Sequence, residues 1–231
     1  NMAFGGFPFA GSGATSMGNL TIPTMQQLST ANHATDPNWP LINAVQADPT
    51  YKRKYIAHMR TILQEYFSGN TYKTLAGTLS AIVDTAVQSD GNKFFTYLQF
   101  QQGMDSLVDL GSYKVPGISM LMDNRVNYLT GTTDFTATPP TITLPVCNPA
   151  SPVYNSTFTV TAQVSNANTV TLGYRYNKTL KFVKVPMYDD GLHGDGAAND
   201  QVYGAQLTMS DGQMQYYVYA ENTNAGMFSP Q

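Results

Sequence analysis

At 231 residues the chain is long enough for one or two domains with a real core, yet only 12% of its residues are charged, well below the usual share of about a quarter. Its polarity comes instead from Asn, Thr, Ser, Gln and Tyr, a surface texture associated with work outside the cytoplasm, and a net charge of −3 with Lys52, Arg53 and Lys54 as the only basic cluster speaks against a nucleic-acid partner. The single cysteine, Cys147, excludes an intramolecular disulfide, and no apolar run is long enough to span a membrane.

Residues 1–18 are rich in Gly, Phe and Ala and read as loop. The string Gly11-Ser-Gly-Ala-Thr-Ser16 fails as a phosphate loop: Ser16 stands where a dinucleotide fingerprint needs Gly, and no Gly-Lys-Ser/Thr follows. Residues 29–39 form a second loop, and Pro40–Gln46 a short helix. A long helix then runs from Asp48 to Phe67. Asp48 caps it and Pro49 takes the first position, where no amide donor is needed. Tyr51, Tyr55, Met59, Ile62, Leu63 and Tyr66 recur at three- and four-residue spacing and share one face. Lys52, Arg53, Arg60 and Gln64 fall mostly on the other. Thr71–Val87 is a further helix, with Leu75, Leu79, Ile82, Val83 and Ala86 on one face. Thr96–Leu110 reads as helix broken near Gly103. Val115–Leu129 is the last helix, with Ile118, Leu121, Met122, Arg125, Val126 and Leu129 in register.

Beyond it the texture changes. Residues 132–140 read as a short linker, the place where limited proteolysis should cut first. Strands follow near Thr141–Val146, Thr157–Val164, Thr169–Tyr176, Lys181–Met187, Gln201–Leu207, Met214–Glu221 and Ala225–Phe228. Phe158, Val160, Ala162 and Val164 alternate strictly, as do Met214, Tyr216, Val218 and Ala220. About seven short strands in ~90 residues indicate an antiparallel sandwich of immunoglobulin or fibronectin type III kind, with the fibronectin-like variant favoured in the absence of disulfides. The expected fold is therefore α+β in two domains: a mainly α-helical part over 1–131 and an antiparallel β-sandwich over 140–231.

Three separated stretches resemble the C-terminal helical part of spore-coat-kinase-like, CotH-type proteins. Asn1-Met-Ala-Phe-Gly5 is similar to that family's Asp-x-(Asp/Asn)-x-Ala-Phe-Gly segment, entered at its third position. The long helix supplies Asp48, Pro49, Tyr51, Lys52, Lys54, Tyr55, Ile56, His58, Arg60, Thr61, Ile62 and Leu63 to a second pattern. The last helix supplies Pro116, Gly117, Ile118, Leu121, Met122, Arg125, Tyr128 and Leu129 to a third. The resemblance implies the end of a kinase-like domain in a bacterial, extracytoplasmic protein that transfers phosphate from Mg-ATP to Ser/Thr of coat proteins. It also implies that the phosphate-holding Lys, the catalytic Asp and the metal-binding Asp precede Asn1. The chain is expected to be a piece of a longer protein, inactive by itself, with no catalytic or nucleotide-binding residue within it.

The most distinctive string in the second half is Tyr188-Asp-Asp-Gly-Leu-His-Gly-Asp-Gly-Ala-Ala-Asn-Asp-Gln-Val-Tyr203. It resembles a loop of sandwich domains in secreted bacterial proteins, departing from it at Gln201, where Gly is usual. Asp189, Asp190, Asp195 and Asp200 are candidate metal ligands, since a hard cation such as calcium needs six to eight oxygens and a Gly-bent loop can gather them. The competing reading is a hairpin in which Gly191, Gly194 and Gly196 supply positive φ and the Asp side chains bind their own backbone amides. Zinc is disfavoured by one His and no nearby Cys.

His33, His58 and His193 sit in different segments and no nucleophile elbow occurs, so nucleophilic catalysis finds no support. Asp189 and Asp195 as a glycosidase pair are disfavoured by the wide use of such loops in non-enzymatic sandwiches. Trp39 and the many Tyr residues suit either a glycan platform or a core and its rim. Two functions stay open: the C-terminal portion of a kinase-like protein acting on a protein substrate, and a non-enzymatic surface module for adhesion or carbohydrate binding.

Overall fold

The computed structural model describes residues 21–111 and 114–229; the Asn1–Gly5 and Gly11–Ser16 stretches lie outside them. The helices are α1 (Ile22–Gln26), α2 (Pro40–Ala47), α3 (Pro49–Ile62), α4 (Thr71–Ser89), α5 (Tyr97–Gln102), α6 (Ile118–Thr130) and α7 (Thr133–Thr136). The strands are β1 (Val108–Asp109), β2 (Lys114–Val115), β3 (Thr141–Ile142), β4 (Val146–Asn148), β5 (Thr157–Ser165), β6 (Thr169–Arg175), β7 (Val183–Pro186), β8 (Val202–Thr208), β9 (Gln215–Glu221) and β10 (Gly226–Ser229). Helices fill the first half and antiparallel sheets the second, so the chain is α+β. No helix among the described residues is long and apolar enough to cross a membrane.

By its internal contacts the chain forms two units. One is helical, the described residues up to Ala47 together with Tyr66–Gly131; the other is β-rich, Asp48–Glu65 together with the chain from Thr132. Helix α3, expected within a helical part at 1–131, thus groups with the sandwich.

In the helical unit polar side chains tie the helices together. The buried Tyr72 donates from its hydroxyl to Asp123 Oδ1 at 2.5 Å, and Lys73 Nζ reaches Asp123 Oδ2 at 2.7 Å, joining α4 to α6. Lys73 and then Tyr72 hold the Asp123 carboxyl below its ordinary pKa. Arg125, in the middle of α6, donates to the carbonyls of Gln26 and Leu28 and so anchors α1. Gly117 caps α6 where a Cβ would stand 2.6 Å from the Ser106 nitrogen, too close for any other residue. The expected Thr96–Leu110 helix stops at Gln102, and Val108 instead pairs with Val115 in a two-stranded ribbon. The apolar stripe of α4 has no cover among the described residues: Leu75, Leu79, Ile82 and Val83 are exposed, Ile82 by 72%. Periodicity identifies which residues share a face, and only neighbours decide whether that face is buried.

The β-rich unit is two antiparallel sheets, β10-β9-β6-β7 and β3-β5-β4 with β8 paired to β5. The expected Thr141–Val146 strand is two short strands that pair with successive parts of β5. Phe158, Val160, Ala162 and Val164 from β5 meet Val170, Leu172, Val218 and Ala220 from the other sheet in one core. Each buried Val, Leu or Phe side chain among these contributes about 1.5–3 kcal/mol.

Helix α3 lies against β10. Asp48 caps it, accepting from the amides of Thr50 at 2.8 Å and Tyr51 at 3.0 Å. The buried stripe is Ile56, Ala57, Arg60 and Leu63, with the partly buried Arg53 at its start. Apart from Leu63, this is not the expected apolar face, and Tyr51, Tyr55, Ile62 and Tyr66 are exposed. Arginine counts as polar in any periodicity, yet here both arginines point inward because acceptors wait for them. Arg53 reaches Glu221 at 3.1 Å. Arg60 donates to the carbonyls of Phe135 at 3.0 Å, Asp134 at 3.2 Å and Ala137 at 3.4 Å, with its guanidinium over the Phe135 ring.

Those carbonyls belong to the segment read as a free linker. Instead Thr133–Thr136 is a short helix with Phe135 buried. The carbonyls of Thr138 and Pro139 are held by the side-chain amides of Asn166 and Asn222, and Lys52 pairs with Asp134 at 2.9 Å. Thr133, Thr136 and Thr138 are exposed, but a backbone so bound resists the local opening that first cleavage needs.

Candidate functional site

Two places in the β-rich unit gather chemistry: the acidic loop between β7 and β8, and a groove on the outer face of the β10-β9-β6-β7 sheet.

In the loop the four candidate aspartates turn toward the loop's own backbone. Asp195, 3% exposed, accepts from the amides of Asp190 and Gly191 at 2.8 Å each and of His193 at 2.9 Å. Burial works against its charge, but these amides outweigh burial and hold its carboxyl below the usual pKa. Asp190 accepts from the Leu192 amide and from His193 Nδ1, both at 2.9 Å, and His193 then Leu192 lower its pKa. Asp189 binds the amides of Asp200 and Gln201, and Asp200 those of Ala197 and Val202. Among the described residues no group of three or more His, Cys, Asp or Glu side chains is placed to hold a metal ion.

The glycines answer the geometry. Gly191, Gly194 and Gly196 have φ of 74°, 75° and 105°, and a Cβ on Gly194 would stand 2.8 Å from Thr159 Oγ1. Gln201, the departure from the loop pattern, has φ 69°. Glycine adopts this conformation without the penalty an L side chain meets there. Gln201→Gly should therefore raise stability by about 0.5–1 kcal/mol; a chemical melt showing no gain, or a loss, counts against a strained Gln201.

The groove measures about 740 Å³. Alternation along β9 sends Val218 and Ala220 into the core and leaves Tyr217, Tyr219 and Glu221 outward. Lys54, His58 and Thr61 of α3 form one wall, with Phe182 and Lys184 opposite on the β7 side. Two glycines make room for the rings: a Cβ on Gly173 would meet the Tyr217 ring at 2.4 Å, and one on Gly226 would meet Tyr219 at 2.4 Å. Phe182 stands edge-on to Tyr217 at 4.9 Å, Phe228 does so at 5.6 Å, and His58 stacks on Phe228 at 4.2 Å. Desolvation lowers the pKa of His58, whose ring is held by the stack on Phe228. Glu221 is opposed by burial but kept ionised, with its pKa lowered, by Arg53, Tyr219 and Lys54.

Residues 177–226 match the family of the conditioned medium factor second Ig-like domain. The match takes in β7, the acidic loop, β8 and β9. The C-terminal region carries an immunoglobulin-like domain. No curated protein and no solved structure matches the chain.

The Ig-like domain thus holds all four loop aspartates together, but around amides. Trp39, a candidate for a glycan platform, stacks instead on His33 at 4.7 Å in the helical unit. The sequence reading passed over Tyr217, Phe182 and Lys184. For Tyr217 a signal was present, an outward aromatic position on a strand whose neighbour carries Gly173, where a ring lies over the backbone; Phe182 and Lys184 carried none.

Proposed function

We propose that this chain is the C-terminal part of an extracytoplasmic, CotH-type kinase-like protein, in which an Ig-like accessory domain follows the end of the kinase-like domain. What supports the reading is that residues carrying the resemblance have fixed structural tasks in both described stretches: Asp48 and Arg60 at α3, Gly117 and Arg125 at α6. These tasks are what a conserved helical framework would ask of such residues, and they support the reading to that extent. The low charge agrees with work outside the cytoplasm, and the family match is to a domain of a conditioned medium factor. Phosphoryl transfer itself would depend on phosphate-holding and metal-holding groups that the resemblance assigns to sequence before Asn1.

Calorimetry separates the parts. The 231-residue chain titrated with Mg-ATP should give no binding heat, whereas a chain extended by its natural upstream sequence should bind Mg-ATP and phosphorylate a Ser/Thr substrate. Micromolar binding to the 231-residue chain, or silence from the extended one, would overturn the assignment. A second reading, a surface module that binds a glycan, is compatible with the first and is favoured by the aromatic groove beside α3.

A further inference from the structure

The groove's polar groups are unevenly matched. Glu221 is engaged by Arg53 at 3.1 Å and by the Tyr219 hydroxyl at 2.8 Å. Among the described residues, neither Lys54 nor Lys184 has a salt bridge; Lys54 Nζ lies 5.4 Å from the centroid of the Tyr219 ring. The charged residues that line the groove are Lys54, Lys184 and Glu221, a net charge of one positive, and Arg53 from outside the lining engages Glu221. Thr61 Oγ1, in the wall, is shut off from solvent and has no hydrogen-bond partner among the described residues, so it offers nothing to a guest as it stands. Thr169 and Thr171 add hydroxyls along the same sheet face.

An aromatic floor, hydroxyls at its side and excess positive charge define the guest. The apolar C–H face of a sugar ring packs on an aromatic ring while its hydroxyls take up polar groups around the rim, and a carboxylate meets the ammonium groups. Phosphate is a poorer fit. Phosphates are gripped by free amides at a helix N-terminus or by an arginine fork. Here Asp48 occupies two of the first amides of α3 and Glu221 occupies Arg53. A peptide added to the β7 edge is also disfavoured, because Pro186 offers no amide there. The volume lies in the usual range of small-ligand sites, roughly 300–1,000 Å³.

We propose that this groove binds a carboxylated saccharide, with Tyr217 and Phe182 as the stacking surface, Lys54 and Lys184 as partners of its carboxylates, and Thr169 and Thr171 as partners of its hydroxyls. The proposal rests on the glycan-module reading and names its ligand class. The probes are trisaccharides of galacturonate, glucuronate and mannuronate, each with its uncharged methyl ester, and an acidic hexapeptide of Asp and Glu. At least one acid trisaccharide should bind saturably, and its ester at least tenfold more weakly. Lys54→Gln and Lys184→Gln should each weaken acid binding about tenfold, and Tyr217→Ala should abolish it. Lys184 is exposed on an edge strand, so its variant should melt like the parent protein and report on binding even if Tyr217→Ala unfolds. Equal binding of acid and ester, or no effect of either lysine variant, overturns the proposal. If the hexapeptide binds with the same dependence on these residues while no saccharide does, the saccharide class and the glycan reading fail but the groove remains a binding site. If no probe binds at millimolar concentration, the groove reading fails as well.

Discussion

Arg60→Ala should destabilise the β-rich unit by about 3 kcal/mol, on the scale of losing one partner of a buried charged contact. Arg60 is buried, and burial pulls its pKa down, yet it remains charged because an arginine titrates so far above neutrality. Its guanidinium serves the carbonyls of Asp134, Phe135 and Ala137 together. Truncation removes those donors, strands the acceptors and opens space beside the Phe135 ring. Two measurements distinguish this from simple loss of volume. Arg60→Lys should recover only part of the stability, since one ammonium cannot address the three carbonyls that the planar fork reaches. Arg60→Ala should also make residues 132–140 the first site of limited proteolysis, while the parent protein resists cleavage there. A loss under 1 kcal/mol with an unchanged digestion pattern would show that Arg60 does not hold this segment.

Asp195→Ala should cost about 3 kcal/mol, because three amides donate to one buried carboxylate and hydrogen bonds to charged groups contribute about 1.5–3 kcal/mol each without adding fully. The pH dependence follows from the depressed pKa of Asp195. A carboxylate whose folded-state pKa lies below the unfolded value of about 3.9 contributes its full stability above that value and loses it as pH falls through the folded-state pKa. The parent should therefore lose stability more steeply than Asp195→Asn below about pH 4, and the difference between the two should be flat near neutrality. Parallel curves across the acid range would exclude the role given to Asp195. Calcium tests the other reading of the loop. With the aspartate oxygens turned to backbone amides, calcium and chelator should leave the melting curve unchanged. If an ion site forms, a hundredfold excess over its dissociation constant would add roughly 2.7 kcal/mol, and such a shift at millimolar calcium would establish the site.

Much of this architecture follows from local rules. Asp48-Pro49 starts a helix because a carboxylate accepts from exposed first-turn amides and proline has no amide to leave unpaired. Strict alternation in β5 gives one buried side because a strand repeats every two residues. The glycines and aspartates of the 188–203 loop specify a tight, self-bonded turn, since positive φ and Asx bonding are properties of single residues. What the sequence by itself did not determine is where amphipathic faces find their partners. The tyrosine face of α3 is exposed and its arginine face is buried because Glu221 and the carbonyls of 134–137, more than 70 positions away, offer acceptors. The α4 stripe has the right period and no cover among the described residues. The groove arises only when β6, β7, β9 and β10 align, bringing Gly173 beneath Tyr217 and making Lys54 of α3 and Lys184 of β7 line the same groove. Periodicity is a property of neighbours in sequence. Burial, ion pairing and cavities are properties of neighbours in space, and these the tertiary structure alone decided.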